Sequence, residues 1–304
     1  MEQGVTPQMT FHLTGNQSFQ LPLTESSQEK QPQWLADTRK SIPVRFIETQ
    51  RLLNQKKSIR QGTTGDEPQA MIPTVTMYAE ELAEKIRAKF VEYSTLAQVL
   101  DRAFPKKVVS ADAKQNRLSE KELRNKLAEL ERKSINLVEA GLLDQGDSDL
   151  QASDEIKEST SIALSVYVKD TEQKLGVFDE IARKINLLKR IINKRFLYKK
   201  MTISKQEGFV FTASDDLPLP LGSLSSGEQR ELALFYELLF KVVPGSLILI
   251  DEPEISLHVV WQEYFLEDIR DITVVADVDL LIATHSPDII NDRRRLVVEL
   301  EGPS

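Results

Sequence analysis

The stretch LILIDEPE (residues 247–254) decides how this 304-residue chain is read. Its four consecutive aliphatic residues, bounded by Gly245 and Pro253, read as a short strand buried on both faces of a parallel sheet. A second run, residues 280–283, has the same character and leads into Thr284, His285, Ser286 and Pro287. Between them, residues 259–269 read as a helix, so the two strands and the crossover form a βαβ unit and the fold class is α/β. Asp251 and Glu252 then fall at the carboxyl end of a buried strand, where open α/β sheets bind ligands. An acidic pair there suits Mg²⁺ and phosphate: Asp251 to hold the metal or its water, Glu252 to polarise an attacking water. The alternative is a strand that ends in an acidic turn. His285, following the neighbouring strand, would point at the same ligand; a lone histidine is otherwise most often structural.

Upstream, LGSLSSGEQRE (residues 221–231) precedes an apolar helical stretch, residues 232–243, stopped by Pro244 and Gly245. Small residues before a helix expose backbone N–H groups at the positive end of its dipole, which makes an anion site. The same residues also fit a plain N-cap, with Ser225 or Ser226 capping and Glu228 or Gln229 completing a capping box. MTISKQEGFVFT (residues 201–212) reads as two strands around Glu207 and Gly208.

Proline placement divides the rest. Seven prolines lie between Pro7 and Pro105, none between Lys106 and Leu217, and six from Pro218 onward. Long helices need proline-free chain, so the middle third is expected to be helical. Leu123, Leu127 and Leu130 share one helix face, as do Leu175, Phe178, Ile181, Ile185, Leu188 and Ile192. An antiparallel helical pair turning near residues 141–149 fits these patterns. At the N-terminal end, two alternating segments predict a hairpin around Gly15 and Asn16, residues 43–48 a strand, and the polar residues 54–73 a loop.

Composition narrows the chemistry. There is no cysteine, which excludes disulfides, thiol nucleophiles and cysteine-ligated metals. Histidine occurs only at positions 12, 258 and 285, which disfavours a histidine-rich metal site. The net charge of −8 disfavours a globally basic nucleic-acid binder. No run of about eighteen apolar residues exists and the first residues do not resemble a signal peptide, so a cytoplasmic protein with no membrane segment is expected. Without a GxSxG elbow, a serine hydrolase is disfavoured as well.

LSSGEQ (224–229), the aliphatic run ending in DEPEISLH (251–258), and ATHSP (283–287), in this order, resemble the signature motif, Walker B with D-loop, and switch histidine of ABC-type ATPases. DEPEISLH followed by VVWQ is similar more narrowly to ATPases of the overcoming-lysogenization-defect (OLD) type and related AAA-family ATPases, several of them in bacterial anti-phage systems. The resemblance is strong over residues 217–301 and reaches back weakly to Gln50, placed like a Q-loop glutamine. It implies ATP and Mg²⁺ as ligands. Gln50 would contact the metal and the water, Asp251 would support the metal, Glu252 would be the general base, and His285 would sense the γ-phosphate. Ser225, Ser226, Gly227 and Glu228 would belong to the nucleotide site, Ser225 and Gly227 contacting ATP held by the opposite subunit of a dimer. His258 stands where transporter-type members have an aspartate.

A P-loop, GxxxxGK[ST], is missing: none of the twelve glycines is followed by lysine. The resemblance puts that loop upstream of Met1. A shortened reading frame, a P-loop half on a separate chain, and a degenerate, non-hydrolysing member all fit. The expected architecture is thus an ABC-type P-loop NTPase head without its P-loop part. Residues 1–75 hold antiparallel strands and the Q-loop, 76–200 a helical insert, and 201–304 the signature, Walker B and switch histidine.

The expected function is an ATP-driven dimerisation switch that controls an effector, with a separate nuclease as one candidate, in anti-phage defence. A non-hydrolysing nucleotide-sensing scaffold or a DNA-associated coiled-coil ATPase are the alternatives. The chain also carries eight basic and no acidic residues over positions 181–200. Arg183, Arg190 and Lys194 there lie opposite the apolar helix face, either to track a nucleic-acid backbone or as a solvated surface.

Overall fold

The computed structural model describes residues 8–13, 17–22, 42–48, 56–57, 71–110, 118–144 and 158–298. Gln50 and residues 145–149 of the turn expected near 141–149 lie outside these. Strands β1 (Gln8–Leu13) and β2 (Gln17–Pro22) pair antiparallel with Leu13 opposite Gln17, which is the hairpin expected from the alternation. β3 (Val44–Glu48) follows. Inside the stretch expected to be all loop, β4 (Lys56–Lys57) and β5 (Met71–Ile72) form a two-residue antiparallel ladder.

Four helices come next: α1 (Thr74–Ser110), α2 (Glu120–Glu139), α3 (Glu158–Gly176) and α4 (Asp179–Arg195). The proline argument places the helical start too late, because α1 runs through Pro105. A proline inside a helix removes one backbone hydrogen bond and crowds the preceding turn. Here it falls close to the C-terminal end, while α1 is anchored far upstream by Val75, Leu82 and Ile86 in the core. Helix α2 starts at a complete capping box, Ser119 with Glu122. Both α1 and α2 pack on α3.

Beyond the helices, β6 (Lys199–Ser204), β7 (Gly208–Ala213) and β8 (Pro218–Leu219) form an antiparallel sheet in that order. Gly208 has φ +81°, and a Cβ there would sit 1.9 Å from the Ala79 carbonyl oxygen, so only glycine lets this turn lie against α1. Then come α5 (Ser226–Phe240), β9 (Leu247–Asp251), α6 (Val259–Ala276), β10 (Asp279–Ala283) and α7 (Pro287–Ile290). Residues 294–296 make a 3₁₀ turn.

β10, β9 and β3 form one parallel sheet in that order, with Ala283, Asp251 and Glu48 level across it. The crossover α6 is the helix expected between the two aliphatic runs. Side chains alternate, so Ile47, Ile248 and Ile250 point into a core shared with α5 and α6. That same core continues through α1, α2, α3 and α4. The other face departs from the expectation of burial on both sides. Val44, Phe46 and Leu281 remain 44%, 38% and 61% exposed among the described residues. Phe46, Leu249 and Leu281 are in register, which makes an apolar row across an uncovered sheet face. Parallel sheets are ordinarily covered on both sides.

Candidate functional site

The level carboxyl ends of β9 and β10 bring the candidate residues of the two strands to one edge of the sheet. Asp251 is the last residue of β9, exposed, and on the uncovered side of the sheet with Leu249's register row below it. The next residue, Glu252, adopts a left-handed conformation, φ 43° and ψ 57°. For a residue with a Cβ this costs about 1–2 kcal/mol and needs support from its surroundings. The support is visible: the Glu252 N–H donates to the Ala283 carbonyl at 2.9 Å, tying the end of β9 to the end of β10, and Pro253 starts a 3₁₀ turn directly afterwards. This bend turns the Glu252 side chain toward the loop after β10. There, His285 Nε2 lies 4.0 Å from Glu252 Oε1, and the imidazole is 92% exposed.

Two residues absent from the sequence-based site hold that loop. Glu254 accepts from the Thr284 hydroxyl and from the His285 backbone N–H, both at 2.8 Å. Gln262 on α6 accepts from the Ser286 hydroxyl at 2.7 Å, while its amide nitrogen donates to the Glu254 and Leu257 carbonyls. Ser286 also caps α7. The third acid of DEPE was the available signal for Glu254, and the VVWQ run that follows DEPEISLH was the signal for Gln262. His258 caps α6, its Nδ1 accepting from the Val260 N–H, and its ring stands 5.5 Å from that of Trp261.

Residues 225–228 form a separate arrangement at the head of α5. Ser225 is the N-cap and Glu228 closes a capping box with it. Glu228 faces inward, both of its oxygens taken by Lys199 at 2.6 and 2.7 Å. Burial pushes its carboxyl up, but the Lys199 and Ser225 hydrogen bonds outweigh that and hold it below the usual range. Ser225 and Ser226 are exposed. Gly227 sits in the first turn of α5, and a Cβ there would meet nothing within 4 Å. No internal packing therefore requires glycine, although alanine would favour the helix by about 1 kcal/mol.

The structure thus brings Asp251, Glu252 and His285 together and sets Ser225, Ser226 and Gly227 at an exposed helix head. Among the described residues no cluster of three or more His, Asp or Glu forms a metal cage. Mg²⁺ is ordinarily held by one or two carboxylates, waters and substrate phosphates, so Asp251 with Glu252 fits it only when a ligand supplies further oxygens. Of the basic residues set opposite the apolar face, Arg190 pairs with Asp271 and Lys194 lies 4.7 Å over the Tyr264 ring, both on α6. Arg183 donates to the Asp179 carbonyl at 3.3 Å. No described helix is long and apolar enough to cross a membrane.

Among curated proteins none matches the sequence. Over residues 88–291, more than half of the chain, it matches the family described as "AAA domain, putative AbiEii toxin, Type IV TA system", a match that includes the serine-rich helix head, the acidic strand end and His285; the chain belongs to this family of AAA-type P-loop ATPases.

Proposed function

We propose that this chain supplies the hydrolytic and switch side of an ATP site, and that occupancy of the site drives two heads together to control a separate effector in a toxin–antitoxin or abortive-infection setting. One observation carries the reading: Glu252, bent out of β9 in a left-handed conformation, faces His285 from the adjacent parallel strand at 4.0 Å. In this reading Asp251 holds Mg²⁺ through its water shell, and Glu252 orients a water and takes its proton. His285 would donate toward the terminal phosphate, and Gln50, by resemblance alone, would be a further contact of the metal. Bound Mg·ATP supplies the phosphoryl group and the charge that the metal neutralises; the protein contributes positioning. Ser225, Ser226 and Gly227 face a nucleotide held by a second head, which explains a glycine that internal packing does not need.

The phosphate cradle comes from residues other than these 304, either preceding them in the same polypeptide or on another chain. The absence of any Gly-Lys pair supports this, as does the apolar row Phe46, Leu249 and Leu281, which a further strand and helix would cover. Isothermal titration of the 304-residue chain with Mg·ATP should give no submicromolar affinity; tight binding would refute the idea. With the P-loop supplied, Glu252→Gln should trap an ATP-bound dimer by size-exclusion chromatography, and normal turnover by that variant would remove Glu252 from its role. A second reading, a nucleotide-sensing scaffold that does not hydrolyse, is favoured by the missing cradle alone. It predicts dimerisation with ATP but no phosphate release even when the cradle is supplied.

A further inference from the structure

The basic run at positions 181–200 has no part in the ATP reading, yet four of its residues meet the two helices that carry the motifs. On α6, Asp268 and Asp271 are three residues apart, and on α5 Glu228 and Glu231 are three apart, so on each helix these two acids share one face. Arg190 pairs with Asp271, and Arg195, the last residue of α4, bridges Asp268 and Glu231. Lys199, the first residue of β6, takes both oxygens of Glu228, and Lys194 covers Tyr264. The Arg195 guanidinium is 4% exposed and Glu231 is fully buried.

A buried ion triad is a costly way to fill this space, since apolar side chains of similar volume hold such positions at least as well. What charges add is a fixed mutual orientation of the helices. The network is also unsaturated among the described residues: Arg195 Nε and Glu231 Oε2 have no partner, which leaves room for a second pairing pattern. Because Glu228 caps the helix head through the Ser225 N–H, the Lys199 pair reaches directly to the exposed serines.

We propose that Arg195 and Lys199 are positioning residues that couple the helical region to the loop of Ser225, Ser226 and Gly227, so that displacement of α4 loosens that loop and ordering of the loop fixes α4. The functional meaning of the coupling rests on the ATP reading; the coupling itself does not. Hydrogen exchange on the full chain without nucleotide tests it. The variant carrying Arg195→Met, Glu231→Leu and Asp268→Leu should unfold at no lower denaturant than the wild type, while amides of residues 225–231 exchange about ten-fold faster and those of 183–194 rise with them. Lys199→Met should speed the same loop amides about three-fold more than those of the rest of the chain, and Lys199→Arg should restore them.

Unchanged loop exchange in both the triple variant and Lys199→Met would overturn the proposal. If the triple variant does not fold, the Lys199 pair of variants decides alone. A second arm adds Mg·ATP with the P-loop supplied. If nucleotide never protects residues 225–231 while the seam variants still differ, the ATP reading falls and the coupling stands.

Discussion

Asp251, Glu252 and His285 lie at the open ends of β9 and β10, and Arg195, Glu231 and Asp268 lie where α4, α5 and α6 converge. Both groups consist of two carboxylates and one basic residue. At the strand ends the side chains are exposed or half-exposed, and the loops bearing them are held by backbone and neighbouring groups, as when Glu254 grips the His285 N–H. In the helix junction the charged atoms themselves are the fastening, and burial raises the Glu231 carboxyl to about 7 against the opposing pull of Arg195. A charge left accessible is available to a ligand, whereas a charge sealed away with its partner is committed to architecture. Residue type alone does not distinguish the two.

The sharpest way to break this contrast is Arg195→Ala. It strands two buried carboxylates and should cost about 3–5 kcal/mol in urea denaturation, whereas removing a strand-end charge by Glu252→Gln should leave the midpoint nearly unchanged. Equal losses at both sites would erase the distinction. The pH dependence tests the same point. Glu231 has a folded pKa above its ordinary value of 4.5, so its contribution to stability is full below about 4.5 and is lost as pH rises through about 7. The loss is on the order of 3 kcal/mol, and Glu231→Gln should flatten that part of the stability-against-pH curve.

Smaller effects sharpen the comparison at the strand ends. Glu254→Ala removes two hydrogen bonds to the His285 loop and should cost about 1–3 kcal/mol while raising exchange at the Thr284 and His285 amides. Ser225→Ala deletes the cap of α5, for about 1 kcal/mol by thermal melting. Gly227→Ala should be neutral or stabilising by up to about 1 kcal/mol, yet weaken any nucleotide-induced dimer seen by light scattering. A large stability loss in this last variant would mean that the glycine serves packing after all.

Much of the sheet was legible because its signal is local. Unbroken aliphatic runs at residues 247–250 and 280–283 have few alternatives to being strands, and Pro253 and Pro287 mark where each stops. The placement of the acidic pair and His285 at neighbouring strand ends was legible for the same reason, since strand-end position follows from strand assignment. The proline argument alone missed helix α1, which the expected helical insert over 76–200 did cover, because the cost of one proline is set by its position within the helix and by the packing elsewhere along it. The grip of Glu254 on the His285 loop was not legible, because it joins residues far apart in sequence through a register that only the paired strands create.

The sequence by itself determined the α/β class, the order of the three motifs, and the lack of a phosphate-cradling Gly-Lys pair, all of which depend on residue identity and short-range periodicity. Tertiary structure decided which charges are accessible and which are sealed. It paired Glu228 with Lys199, engaged much of an apparent basic surface against α5 and α6, and left one apolar face of the parallel sheet uncovered among the described residues. The physical reason is that burial and pairing are properties of neighbours in space, and the energy of a charge depends on its neighbours far more than on its place in the chain.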